Sequence, residues 1–124
     1  MTEEIESFIQ KDETAKQMVK YADDLAKEIF RDVSTSQIRN AYGTVKKLEM
    51  QSVFDNKAYR ELLLLKPKLA YARGRSSKKE TFKKLEDALS AAIDAVDVKD
   101  SETFKRFCNF FEAILAYHKA HGGT

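Results

Sequence analysis

The sequence predicts an all-α fold, a compact bundle of about five helices, and three observations carry that reading. Only four Gly and one Pro occur in 124 residues, whereas an all-β sandwich or barrel needs turn residues roughly every 8–12 positions. Apolar residues recur at three- and four-residue spacing along most of the chain, the period of one helix face. The breaks between these stretches are short, as expected where antiparallel helices follow one another in a bundle. The length suits one domain of roughly 100–150 residues, large enough for a core without disulfides or metal. With 43% hydrophobic and 34% charged residues, the apolar content is too high for a disordered chain.

The first helix is expected over about residues 15–32, where Met18, Val19, Ala22, Leu25, Ala26, Ile29 and Phe30 share a stripe. Residues 1–14 (MTEEIESFIQKDET) are expected as an acidic N-terminal extension, either frayed or a short helix. The single bundle domain is accordingly assigned to residues 15–124. Ser34, Thr35 or Ser36 can cap a second helix starting near Gln37, with Ile38, Tyr42, Val45 and Leu48 on its stripe. Arg39 and Lys46 are seven apart and share a face beside it.

Asp55 or Asn56 is a good N-cap for a third helix, in which Leu62, Leu63, Leu64, Leu65 and Leu69 cover much of the circumference. Pro67 lacks a backbone N–H and is expected to kink or break this helix. Gly74 is expected to end it, leaving Arg73 to Lys79 as a basic loop. The fourth helix places Phe82, Leu85, Leu89, Ala92, Ile93 and Val96 on one stripe, and Asp97, Asp100 or Ser101 supplies the next break. The fifth, about residues 101–120, carries Phe104, Phe107, Cys108, Phe111, Ile114, Leu115 and His118, widened by Phe110, Ala113 and Tyr117. It is the expected core element.

The residues offer little to catalysis. His118 and His121 are three apart, but a zinc site needs three or four protein ligands and no third is placed with them. One is expected on the core stripe and the other in the tail. Cys108, the one cysteine, excludes an internal disulfide and fits a reducing compartment. It sits on an apolar stripe with no basic pair beside it, so a buried inert thiol is expected. Glu86 and Asp87 are adjacent and diverge around the helix, and phosphate-binding glycine loops and nucleophile elbows are absent. No enzyme activity, cofactor or metal is therefore expected. The acidic opening lacks the basic-then-apolar pattern of a secretory signal. No apolar run approaches the ~18 residues of a membrane span. Both features predict a cytoplasmic protein.

Charge is unevenly spread along the chain. Residues 1–32 hold nine acids against five bases, residues 33–84 thirteen bases against four acids, and residues 85–124 seven acids against four bases. The middle segment, at +9, points to an anionic partner, with a merely solvated surface as the alternative. Between 66 and 84 lie Lys66, Lys68, Arg73, Arg75, Lys78, Lys79, Lys83 and Lys84, with Glu80 the one acid. Lys66 with Arg73, and Lys68 with Arg75, are seven apart and share faces if the helix continues past Pro67. Tyr71 lies between them and can stack on a base or simply pack. Such a cluster suits phosphate oxygens, which need no sequence code, and no groove-reading DNA motif accompanies it.

Three blocks carry a resemblance: Ser36-Gln37-Ile38-Arg39-Asn40-Ala41-Tyr42, then Leu65-Lys66-Pro67-Lys68-Leu69-Ala70-Tyr71 with Arg73 and Arg75, then Phe107-Cys108-Asn109-Phe110-Phe111-Glu112-Ala113-Ile114-Leu115-Ala116-Tyr117-His118. Together, in order over about residues 34–120, they resemble the small helical subunit of the type III-A CRISPR effector (Csm) complex. The resemblance implies a non-catalytic all-α subunit whose copies stack into an inner filament beside the crRNA-bound backbone filament. There they line the groove that receives target RNA and touch nucleic acid mainly at phosphates. RNA cleavage would belong to the backbone subunit, and DNase and cyclic oligoadenylate synthesis to the large subunit.

The implied partners are crRNA and target RNA, further copies of the chain, and the backbone and large subunits. Arg39, Lys66, Lys68, Arg73 and Arg75 lie in the matching blocks and carry over as RNA-binding residues. Lys46, Lys47, Lys78 and Lys79 join them on charge and helical position alone. Whether Arg39 faces the groove or pairs with an acid such as Glu112 is open at this level. The competing readings are a helical adaptor or homo-oligomer without nucleic acid and a small His-dependent hydrolase.

Overall fold

A computed structural model describes residues 2–124. The described residues form six α-helices and no strand: α1 (Thr2–Gln10), α2 (Ala15–Ile29), α3 (Thr35–Glu49), α4 (Asn56–Arg75), α5 (Lys79–Asp94) and α6 (Ser101–Ala120), with a 3-10 turn at Asp12–Thr14. The all-α bundle is as the periodicity predicts, with one helix more. α6 is the centre, burying Phe104, Phe107, Cys108, Phe110, Phe111 and Ile114. It packs against α1, α2 and α3, while α5 packs against α1, α2 and α4. The buried phenylalanines of α6 pack among the Ile, Leu, Val and Ala side chains of the other helices to form the core.

The extra helix, α1, lies in the residues expected as either a frayed tail or a short helix. Ile5, Phe8 and Ile9, at i, i+3 and i+4, are all buried in the common core, and Met1 lies outside the described residues. Phe8 meets Tyr21 of α2 and Phe110 of α6, with ring centroids 5.6 and 5.7 Å apart. Arg106 reaches back from α6: its Nε donates to Asp12 at 2.6 Å and its Nη1 to the Ile9 carbonyl at 3.1 Å. A carbonyl in the last turn of α1, which the helix itself leaves unpaired, is thereby satisfied.

Local signals explain where the other helices start. Ser34 and Gln37 form a capping box at α3, each side chain accepting from the other's backbone N–H. Asp55 accepts from the Ala58 N–H at α4 (2.9 Å), and Asp100 from the Glu102 N–H at α6 (3.1 Å).

α4 departs from expectation in two ways. It runs unbroken through Pro67 to Arg75, so the break does not occur, and the connection to α5 shrinks to residues 76–78. Pro67 costs one backbone hydrogen bond, but Leu62, Leu65 and Leu69 on either side are anchored in the core and hold both halves in register. Its leucines are also not buried all round: Leu63 and Leu64 stay 36% and 41% exposed.

Both histidines are structural ties between α6 and the α2 end of the bundle. The buried His118 donates from Nε2 to the Val33 carbonyl at 2.5 Å. Its ring is covered so closely by Gly123 that an added Cβ there would collide with the imidazole. His121 donates from Nε2 to Asp23 at 2.5 Å.

Candidate nucleic-acid interface

Some of the side chains that α3 and α4 do not bury against the core face one another across a groove of about 450 Å³. Leu65, Leu69 and Phe82 form its apolar floor, contributed by α4 and α5. Gln37, Asn40 and Thr44 make the α3 wall, spaced so that they recur on one helix face. Lys68, Tyr71 and Arg75 make the α4 wall. A second, shallower depression shares Asn40 and Thr44 and continues past Gly43 to Lys46 and Lys47. A polar, cationic path thus runs along α3 and across to the last two turns of α4.

The fold sorts the α4 bases by face, and the seven-residue pairs divide between the two. Lys66 binds Asp94 at 2.6 Å and Arg73 binds Glu86, both carboxylates on α5. These two bases therefore tie α4 to α5. Lys68 and Arg75 lie on the groove side, exposed, and among the described residues neither has a carboxylate within 4.0 Å. The Arg75 guanidinium sits 5.7 Å from the centroid of the Tyr71 ring, which is 68% exposed. An exposed contact of that kind is worth roughly 0.5–1 kcal/mol. It holds the guanidinium near the groove without neutralising it.

The family whose pattern fits this chain is Csm2 Type III-A, its model matching residues 12–124. The chain belongs to the Csm2 Type III-A family. This is a structural family of small subunits of the type III-A CRISPR effector. No curated protein and no solved structure matches the chain. The Csm2 match takes in both walls of the groove and leaves α1 outside it.

The remaining bases singled out in this Csm2-family chain are more scattered. Arg39 is exposed on α3 and, among the described residues, forms no ion pair, with Glu112 or any other acid. Lys46 meets Glu49 of its own helix at 3.4 Å, and Lys47 is exposed and unpaired among the described residues. Lys78 and Lys79 open α5, both exposed. Lys79 Nζ donates to the Ser76 carbonyl and the Lys78 backbone N–H to Ser76 Oγ, both at 3.0 Å. They flank the end of α4 without lining the groove.

Charge reasoning alone misses Gln37, Asn40 and Thr44, because uncharged residues on a helix carry no electrostatic signature. Their spacing, with Lys47 next in the same row, was the available signal. Burial pushes the Cys108 thiol up to about 12, so it is held as the neutral thiol. Among the described residues no cluster of three or more His, Cys, Asp or Glu side chains could hold a metal ion. Among the described residues no helix is long and apolar enough to cross a membrane.

Proposed function

We propose that this chain is a non-catalytic, RNA-binding subunit of a cytoplasmic type III-A CRISPR ribonucleoprotein acting in antiviral defence. Copies stack into an inner filament beside the crRNA-bound backbone filament and present the α3–α4 groove to the crRNA and target RNA. Cleavage chemistry falls to the backbone and large subunits. The observation that carries this reading is the groove, cationic through Lys68 and Arg75 and lying within the family-matched residues. Exposed bases without carboxylate partners keep their full charge for phosphate oxygens. One copy supplies few such contacts, and repetition along a filament multiplies them by raising the effective concentration of each next site. Arg39 and Lys47 extend the same path on α3, and Lys78 and Lys79 add positive potential at its far end. Lys46, Lys66 and Arg73 contribute field, their contacts being spent on Glu49, Asp94 and Glu86.

The test is affinity purification of the tagged chain from its native cells. A stoichiometric set of larger subunits is expected, together with short RNAs of uniform length sharing a repeat-derived end. Recovery of the chain alone and free of RNA at moderate salt would contradict the proposal and leave a helical adaptor.

A further inference from the structure

We infer that the α3–α4 groove is a nucleotide subsite for single-stranded RNA: one base stacks on Tyr71 while its phosphate lies between Lys68 and Arg75. The inference rests on the RNA-binding reading above and adds to it how one unpaired nucleotide is held.

Tyr71 is the starting point. Among the described residues it is the most exposed aromatic ring, on a chain whose other aromatics, Phe30 aside, pack in or against the core. A ring left in water on a groove wall offers a π-face to a partner. Lys68 lies three residues before it and Arg75 four after it, so all three share one face of α4 and all three line the groove. A planar face flanked by two cations is the arrangement that tracks a single strand, with stacking for the base and charge for the backbone.

The opposite wall adds a fixed donor. Gln37 Oε1 accepts from the Ser34 backbone N–H at 2.9 Å, which sets the amide orientation. Its NH2 is left to donate to a sugar hydroxyl, a phosphate or a base carbonyl. The groove's volume of about 450 Å³ falls in the range of roughly 300–1,000 Å³ that holds small-molecule ligands. That volume suits one unpaired nucleotide, whose base has a free face to stack. Because every base has a π-face, the subsite is tolerant of sequence.

The experiment titrates the full-length chain with a single-stranded oligoribonucleotide of alternating uridine and 2-aminopurine at low ionic strength, following anisotropy and 2-aminopurine emission. Tyr71→Ala is expected to weaken binding roughly 5- to 150-fold and to abolish the emission change. The slope of log K against log salt should not alter, since a stack releases no counterions. Tyr71→Phe should bind like the parent chain. Tyr71 is exposed, so both variants should melt like the parent, which is checked by circular dichroism. Salt-dependent binding that is unaffected by Tyr71→Ala would overturn the stack and leave the RNA reading standing. A loss in Tyr71→Phe as deep as in Tyr71→Ala would assign the effect to the hydroxyl and likewise overturn it. Absence of RNA binding by the parent chain would overturn both.

Discussion

The Cys108 thiol lies fully buried on α6, and burial pushes its pKa from 9.0 up to about 12. The fold favours the neutral thiol, so its contribution to stability is complete below pH 9 and is lost as pH rises from 9 toward 12. Unfolding free energy is therefore expected to fall over that window in the parent chain. The decline should be smaller in Cys108→Ala, by urea titration at several pH values. At neutral pH the native chain should resist iodoacetamide and react only once unfolded; rapid native alkylation would contradict the burial. Asp12 shows the opposite direction. Hydrogen bonding from Arg106 holds its carboxyl below the usual carboxylate range, so that tie strengthens above about pH 4 and fades on acidification. What a residue does here is decided by what the fold packs against it: the same imidazole type is a buried tie at His118 and a partly exposed one at His121.

At the scale of elements, α4 separates structural bases from groove bases. Arg73→Ala removes a partly buried pair with Glu86 and is expected to cost about 1–2 kcal/mol, between an exposed and a buried charged bond. Lys68→Ala and Arg75→Ala should each stay within about 0.5 kcal/mol of the parent. Urea unfolding of the three variants checks this, and equal losses would contradict the sorting of faces. The same helix shows how far the sequence was legible. The seven-residue spacing already told that Lys66 shares a face with Arg73, and Lys68 with Arg75. It could not tell which face meets carboxylates, because Asp94 and Glu86 lie 28 and 13 residues further on. Continuity through Pro67 was equally hidden, since it depends on core packing that no local pattern encodes. α6 was legible from its long aromatic stripe, with Asp97, Asp100 or Ser101 marking its start; Asp100 is the one that caps. α1 was not legible, because Ile5, Phe8 and Ile9 make a stripe of three in nine residues, too short to outweigh its acids.

For the whole molecule, the uneven charge of the sequence becomes a spatial polarity. The acidic α1 packs on α5, α6 and α2, whereas the basic α4 packs on α3 and α5. The acidic helix and the basic helix therefore lie on different parts of the bundle, meeting the same neighbour only at α5. The central claim is that the α3–α4 side binds RNA through the groove and not through basic charge in general. The measurement that tests it most directly is the salt dependence of single-stranded RNA binding in two double variants of equal charge change. Lys68→Ala/Arg75→Ala should flatten the log–log slope by roughly 0.7 for each phosphate no longer neutralised, about 1.4 for the pair. Lys66→Ala/Arg73→Ala, measured where it remains folded, should keep the parent slope. An unchanged slope in the first variant, or equal flattening in both, would contradict the account.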